Sequence, residues 1–264
     1  MRDEKARRAK LWIGGVLGIG GVLGVGGVLA GLLLTAPDAG HAQSELPEAE
    51  VERIVREYLL REPEIIMQAI EELQRRHESQ AVLDQQQRLA AERDALLADP
   101  RDPVLGNPDG DVTLVEFFDY RCGYCRIMAE PLQALLADDP DLEIVMKEFP
   151  ILGPDSLLAS RAALAAHQQG GYEAMHWALL AENRIDEAVI GRLAEAQGLD
   201  VDRLFADMQA DSIADHIQDN ILLAQGLGIN GTPSFIIGGT VLPGAVPVER
   251  LVGLVAEERA AGGG

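Results

Sequence analysis

The chain has 264 residues, of which 47% are hydrophobic and 25% are charged, so it can build a packed core and is not disordered as a whole. Its 43 acidic side chains outnumber 22 basic ones, and the net charge of −21 argues against a nucleic-acid-binding protein, which would need a basic face. The two cysteines, Cys122 and Cys125, are too few for a disulfide-rich scaffold or a four-cysteine zinc site.

The first 42 residues have the pattern of an export sequence. Five basic side chains lie within residues 1–10, and residues 11–34 carry no charge. A basic end followed by an apolar stretch is typical of a signal peptide, yet this stretch is also long enough to span a bilayer. Gly40-His41-Ala42 is a candidate cleavage site. The sequence predicts a signal peptide or signal anchor over residues 1–42. The protein is then periplasmic or otherwise extracytoplasmic, either soluble after cleavage or anchored to the inner membrane by residues 11–34, and paired cysteines there are expected to do redox chemistry.

Residues 43–100 are predicted to form a helical stalk. No glycine occurs within residues 47–99, and apolar side chains recur at the i, i+3, i+4 and i+7 spacing of one helix face. They are Val51, Ile54, Val55, Tyr58 and Leu59, followed after a break near Glu62 and Pro63 by Ile66, Ile70 and Leu73. Such a stripe must be covered. Three alternatives remain open: a hairpin folded on the following domain, a homo-oligomer assembled through residues 47–99, or a partly disordered spacer.

The elements of residues 101–264 predict an α/β domain. A short apolar strand over residues 111–118 leads through the cysteines into a helix over residues 126–137 and a second strand over residues 142–149. A block of helices fills about residues 155–228, with breaks at Gly170-Gly171, near Asn183 and at Gly198. A hairpin of strands over residues 234–237 and 240–242 and a last helix over residues 247–258 complete the domain. The helical block replaces a short connection, so we expect it to be an inserted subdomain.

The spacing Cys122-Gly123-Tyr124-Cys125 at a strand-to-helix junction has a defined chemistry. Unpaired N–H groups at a helix N-terminus favour a thiolate, which lowers its pKa and makes it a nucleophile. Cys122 is predicted to be the exposed nucleophile and Cys125 the buried thiol that resolves the mixed disulfide. Zinc binding would need further ligands with a suitable spacing, and a structural disulfide across so short a loop would stabilise little.

Several stretches resemble the DsbA family of exported, thioredoxin-fold thiol-disulfide oxidoreductases. Residues 116–125, Glu-Phe-Phe-Asp-Tyr-Arg-Cys-Gly-Tyr-Cys, resemble its active-site strand and helix start, and the inserted helices and Thr232-Pro233 match as well. Residues 56–66 resemble the N-terminal segment of ScsC-like and Com1-like members, some of which oligomerise through it. The resemblance implies a thioredoxin fold with an inserted helical subdomain, preceded by an α-helical stalk and an N-terminal apolar segment.

The resemblance also implies further site residues. Thr232 and Pro233 resemble the cis-proline loop that faces the cysteines and offers its backbone to a client strand. Glu116 lies on a strand expected to be buried, where it would stay protonated or pair with Lys147, and it could accept the proton of Cys125. The Glu116–Lys147 pair is an inference from strand parity. Arg121 and Arg126 flank the cysteine pair, and either could stabilise a thiolate, but a position in solvent is the expectation for both.

These features imply an exported protein thiol-disulfide oxidoreductase that acts on client proteins with cysteines, exchanges electrons with a membrane redox partner, and needs no cofactor. The dipeptide Gly123-Tyr124 resembles that of periplasmic isomerases and favours a disulfide isomerase or reductase. A DsbA-like dithiol oxidase is the alternative within this class. A non-enzymatic chaperone or copper-binding protein is the alternative from another class, because paired thiols also bind copper(I).

Overall fold

The computed structural model of the chain describes residues 47–262. The predicted signal peptide or anchor over residues 1–42, including the apolar residues 11–34, lies outside this range. In the described part of the chain, no helix combines the length and apolar character needed to cross a membrane.

The described residues fall into two units, which divide between Arg61 and Glu62. In the first unit, helix α1 (Glu48–Arg61) has no buried residue. In the second, helix α2 (Glu64–Ala91) begins directly after Pro63, as predicted, because proline fits the start of a helix. A separate short helix, α3 (Arg93–Leu97), follows α2, and this break was not predicted.

The second unit contains a five-stranded sheet. Its strands are β1 (Val104–Gly106), β2 (Val112–Phe118), β3 (Leu142–Glu148), β4 (Ser234–Ile237) and β5 (Thr240–Pro243), in the order β1-β3-β2-β4-β5. Strands β2 and β3 are parallel, and the other neighbouring pairs are antiparallel. The sequence analysis missed β1, because three residues with one inward apolar side chain give no periodic signal.

Helices cover both faces of this sheet. Helix α4 (Gly123–Asp138) connects β2 to β3, and α10 (Val248–Ala261) follows the hairpin of β4 and β5. The inserted block consists of α5 (Pro154–His167), α6 (Tyr172–Ala181), α7 (Glu187–Ala196), α8 (Val201–Asp207) and α9 (Asp211–Gly226). One core packs Leu114 and Phe118 of the sheet against α4, α10 and the insert, and a second packs Val115 and Phe117 against α2, α3 and the end of α9. This arrangement confirms the expected thioredoxin fold with an inserted helical subdomain.

The register of β2 and β3 overturns one predicted contact. Phe117 lies opposite Lys147, whereas Glu116 lies opposite Met146, so Glu116 and Lys147 point to opposite faces of the sheet. Instead of pairing with Glu116, the fully buried Lys147 forms an ion pair with Asp102 and donates a hydrogen bond to the carbonyl of Ala95. The predicted Glu116–Lys147 pair is therefore wrong, because the strand parity assigned to it was off by one residue.

We predict that Lys147→Ala lowers the free energy of unfolding by about 3–5 kcal/mol, because it leaves Asp102 as a buried charge without its cation. The second carboxylate oxygen of Asp102 lies 3.2 Å from His216 Nε2, but this one contact does not replace the ammonium group of Lys147. The double variant Lys147→Met with Asp102→Asn should recover most of the loss. Urea unfolding of the three proteins checks this, and a double variant as unstable as Lys147→Ala would contradict it.

Candidate active site

Cys122 occupies the N-cap position of α4, directly after the central strand β2 and a short turn. Its backbone is extended, with φ −74° and ψ 118°, and its carbonyl accepts the N–H of Arg126 at 3.2 Å. The N–H groups of Tyr124 and Cys125 therefore point toward its side chain without a partner in the helix. Both cysteines are free thiols.

The two thiols differ strongly in acidity. Hydrogen bonds to its sulfur lower the pKa of Cys122 from 9.0 to about 5, first from the Cys125 side chain and then, against the opposing effect of burial, from the Thr232 side chain and the N–H groups of Cys125 and Tyr124. Burial raises the pKa of Cys125 far above its ordinary value, with further contributions from its hydrogen bond to Cys122 and the charge of Glu116. At neutral pH, Cys122 is thus the nucleophile and Cys125 the protonated partner.

The prediction that Cys122 is exposed needs correction. Cys122 is only 7% exposed and Cys125 is 2% exposed, so both belong to the core packed against α4. The backbone of the loop before β4 covers the sulfur, and Cys122 Sγ lies 3.2 Å from the carbonyl oxygen of Thr232. A partner disulfide that reaches Cys122 Sγ therefore comes close to Thr232.

The loop before β4 is held close to the thiols. The peptide bond between Thr232 and Pro233 is cis, as the sequence analysis expected. The carbonyl of Pro233 accepts the N–H of Gly244 at 2.7 Å, and the hydroxyl of Ser234 donates to Gly231 O at 2.8 Å. Within residues 47–262, the N–H of Thr232 forms no hydrogen bond. This loop can therefore offer a free backbone donor beside the nucleophile.

Glu116 lies in the middle of β2 on the face that carries α4, and it is only 2% exposed. Among the described residues its carboxyl group has no ion-pair or hydrogen-bond partner. Burial, and secondly the charge of Cys122, raise its pKa to about 8. Glu116, Cys122 and Cys125 thus interact electrostatically, and Glu116 holds a proton at neutral pH.

A second buried acid escaped the sequence analysis. Glu148 Oε1 accepts hydrogen bonds from the hydroxyl groups of Tyr120 at 3.1 Å and Tyr172 at 3.0 Å, and Tyr120 Oη also lies 3.1 Å from His176 Nδ1. Burial raises the pKa of Glu148 to about 8 and lowers that of His176 to about 3. These contacts tie the turn before Cys122 to the inserted helices. The available signal was a glutamate at the end of a mostly apolar strand, directly before Phe149.

Arg121 and Arg126 are not simply solvated, contrary to expectation. Arg121 donates to the carbonyl of Asn183 at 2.6 Å, and Arg126 donates to the carbonyls of Glu182 and Tyr120. Both guanidinium groups therefore clamp the loop between α6 and α7 to the start of α4. Sequence spacing could not reveal this, because 56 to 62 residues separate the partners.

Of the predicted site residues, the structure brings Cys122, Cys125, Thr232, Pro233 and Glu116 together and leaves Lys147 on the other face of the sheet. In the described part of the chain, no three His, Cys, Asp or Glu side chains are arranged to hold a metal ion. The chemistry of this site therefore centres on two sulfurs and one neutral acid.

The family models that match the chain agree with this geometry. Residues 113–256 match the DSBA-like thioredoxin domain, and residues 48–80 match the N-terminal domain of the copper resistance protein ScsC. The curated relatives that it matches include the Na(+)/H(+) antiporter NhaA 3 of Salinispora tropica, 32% identical over 154 residues, which are 57% of this chain. The chain spans about a quarter of the length of these relatives, 24% for that antiporter.

Solved structures extend the likeness. A thioredoxin-like oxidoreductase from Silicibacter pomeroyi is 48% identical, with a TM-score of 0.61, over 64% of this chain and 98% of its own. Proteus mirabilis ScsC in a transitional conformation is 32% identical, with a TM-score of 0.61, over 81% of this chain and 97% of its own. The thiol-disulfide exchange protein α-DsbA2 of Wolbachia pipientis is 29% identical, with a TM-score of 0.63, over 67% and 96%.

We predict that the thiolate absorbance of the reduced protein titrates with a midpoint near pH 5, because hydrogen bonds stabilise the ionised sulfur of Cys122. Cys125→Ala should raise this midpoint, since it removes the largest of these contributions. Cys122→Ser should show no transition below pH 8, because the pKa of Cys125 is raised. Ultraviolet absorbance of the three proteins against pH checks this, and a wild-type midpoint near 9 would contradict it.

We predict that Glu116→Gln stabilises the protein increasingly as the pH rises from 5 to 8. The pKa of Glu116 is raised to about 8 in the folded state, so its stabilising contribution is complete below its unfolded value of 4.5 and is lost as the pH rises through 8. Glutamine has no proton to lose. The free-energy difference between variant and wild type should grow by up to about 1.4 kcal/mol per pH unit.

Urea unfolding at several pH values measures this difference. Glu130→Gln is the matched control, because Glu130 is exposed on α4. A Glu116→Gln advantage that stays constant with pH would show that the carboxyl group is already ionised in the folded protein.

Proposed function

This chain belongs to the DSBA-like thioredoxin family, and we propose that it is an exported protein thiol-disulfide oxidoreductase that isomerises or reduces the disulfides of misfolded client proteins. The observation that carries the proposal is the position of Cys122. Its sulfur is ionised at neutral pH and lies 3.2 Å from the carbonyl oxygen of Thr232, whose own N–H forms no hydrogen bond within residues 47–262. Two sulfurs suffice for the reaction, so no cofactor is required.

The first step is an exchange between the enzyme and a client disulfide. The Cys122 thiolate attacks one client sulfur, the client S–S bond breaks, and the second client sulfur leaves as a thiolate. A mixed disulfide between Cys122 and the client has formed, and no net oxidation has occurred. A client strand that pairs with the Thr232 backbone would hold the reacting sulfur over Cys122.

The mixed disulfide then has two outcomes. In isomerisation, the released client thiolate attacks another disulfide, and a client sulfur finally returns to the mixed disulfide and expels the Cys122 thiolate. In reduction, Cys125 attacks Cys122 Sγ, the mixed disulfide breaks, and the client cysteine leaves as a thiolate. The enzyme then holds a Cys122–Cys125 disulfide and needs two electrons from a membrane redox partner.

Glu116 is suited to accept the proton that Cys125 loses in the reductive step. The charge of the Cys122 thiolate is the second cause of the raised pKa of Glu116. That charge is absent in the mixed disulfide, so the carboxyl group ionises more readily when Cys125 must be deprotonated. Glu116 would thus act as a general base only at this stage.

The acidity of Cys122 supports the isomerase or reductase branch over the oxidase branch. Its pKa of about 5 lies between the values of about 7 for thioredoxin and about 3.5 for DsbA. A thiol of intermediate pKa both attacks disulfides and leaves mixed disulfides readily. The dipeptide Gly123-Tyr124 supports the same branch.

The N-terminal helices support assembly into a homo-oligomer through residues 47–99. In α1, Val51, Ile54 and Val55 remain 42–49% exposed, and in α2, Ile70 and Leu73 remain 43% and 52% exposed. Rows of exposed apolar side chains on one helix face mark an interaction surface. Several active sites on one assembly would hold a client while its disulfides rearrange.

The proposal that the protein is exported rests on the first 42 residues. Their basic end and uncharged residues 11–34 favour an extracytoplasmic location, either soluble after cleavage or membrane-anchored. A pair of free thiols in that oxidising compartment must be kept reduced, which is why we include a membrane redox partner.

We predict that the reduced full chain reactivates a test protein with scrambled disulfides, and that Ile70→Glu with Leu73→Glu lowers this activity at least about fivefold. Two glutamates per chain would separate helices that pack through this apolar face, because like charges at the interface repel each other. Oligomeric state is measured in parallel by light scattering. Gln68→Glu with Gln74→Glu is the matched control, since both glutamines are exposed on α2.

Cysteine variants separate the remaining possibilities. Cys122→Ser should abolish reactivation, and Cys125→Ser should accumulate mixed disulfides with the client on a non-reducing gel. A wild type that reactivates nothing but rapidly oxidises reduced client cysteines would establish the oxidase branch instead. Prevention of aggregation without any disulfide exchange would establish the chaperone alternative and refute the enzymatic proposal.

A further inference from the structure

A cavity of about 480 Å³ lies directly beside the loop that faces Cys122. The loop residues 228–232 form one part of its wall, and Val241 and Pro243 of β5 form another. Gln85 of α2 also contributes to the wall. Because Thr232 both lines this cavity and has its carbonyl oxygen 3.2 Å from Cys122 Sγ, the cavity lies one residue away from the nucleophile.

Gln85 presents an unused amide to this cavity. Its side chain is half-buried, and within residues 47–262 it forms no hydrogen bond. Gln80 of the same helix is engaged, because its amide donates to Asp84 at 2.7 Å. An amide offers two donors and one acceptor, so Gln85 can bind a polar group that enters the cavity.

The composition of the cavity wall selects the chemistry of its ligand. Among the described residues that line it, none carries a charge, although a quarter of the chain is charged. A charged ligand group would lose water there without gaining a counter-ion, which is costly. Gln85 and Asn230 supply polar atoms, whereas Val241 and Pro243 supply an apolar wall. The cavity therefore suits an uncharged side chain with a polar end, such as glutamine or asparagine.

We propose that this cavity is a client subsite, in which Gln85 recognises an uncharged polar side chain within two residues of the client's reacting cysteine. The inference rests on the proposed function, because it takes the ligand to be the client. An extended client strand advances about 3.3 Å per residue, so a side chain one or two positions from a cysteine above Cys122 reaches past Thr232. The helix before the thioredoxin domain thus takes part in client selection.

The test uses the reduced full chain and short synthetic peptides whose single cysteine carries thionitrobenzoate as a mixed disulfide. Attack by Cys122 on the peptide sulfur breaks the S–S bond and releases the coloured thionitrobenzoate anion. Glutamine, glutamate or lysine is placed at each of the four positions flanking the cysteine. Each rate is divided by the rate with dithionitrobenzoate, a small disulfide that reports the reactivity of Cys122 alone.

In the wild type we expect glutamine to be preferred over glutamate and lysine by about tenfold at one flanking position. Gln85→Trp should abolish this preference, because the indole fills the cavity. Gln85→Glu should shift the preference to lysine at the same position, because it places a negative charge in the wall. Gln87→Trp and Gln87→Glu are the matched controls, since Gln87 is exposed on the same helix and does not line the cavity.

The outcomes separate this inference from the proposed function. If the wild type reacts with peptides but both Gln85 variants keep the wild-type preferences to within twofold, the subsite is wrong and the oxidoreductase proposal stands. If the wild type reacts with neither peptides nor dithionitrobenzoate, both are wrong. Should Gln85→Trp fail to fold, the charge reversal in Gln85→Glu alone decides the question.

Discussion

The site depends on keeping a charged sulfur stable where little water reaches it. Cys122 is 7% exposed, so its charge must be balanced by the protein. The turn after β2 places its sulfur over the free N–H groups of α4, and the buried Cys125 adds the largest single contribution. Glu116 lies close enough for its own ionisation to be disfavoured by the thiolate, so the site carries one negative charge rather than two.

The two faces of the sheet accommodate buried ionisable side chains in different ways. On the face away from the thiols, Lys147 pairs with Asp102 just before β1 and donates to the carbonyl of Ala95 in α3. On the thiol face, no cation among the described residues pairs with Glu116 or Glu148, and both stay neutral at physiological pH. A cation beside Glu116 would keep it ionised and remove its capacity to take a proton. The alternation of side chains along β2 and β3 thus separates a stabilising pair from a group that can change its protonation.

Local signals were sufficient for strands β2 to β5 and for the cysteine pair, whereas the family resemblance supplied the cis bond before Pro233. The strands of the core are short apolar runs, and the spacing of Cys122 and Cys125 allows little else. The sequence analysis was wrong where a contact depends on strand register or on a residue far away in the chain. A one-residue error in strand parity placed Lys147 on the wrong face of the sheet. The carbonyl that accepts a hydrogen bond from Arg121 belongs to a residue 62 positions away in the chain. Backbone acceptors have no residue-type signature, so no sequence pattern could indicate them.

Helix α2 has different surroundings along its length. Ile70 is exposed, whereas Gln85 lines the cavity beside Thr232 and Leu89 is packed in the core. Gln85 follows Ile70 by 15 positions in one uninterrupted helix, which at 1.5 Å per residue is about 22 Å. A partner that covers the exposed part of α2 would therefore contact the same helix that bears Gln85. Since an uninterrupted helix has no hinge, assembly through α2 would fix the position of Gln85 in the cavity wall as well as the number of active sites.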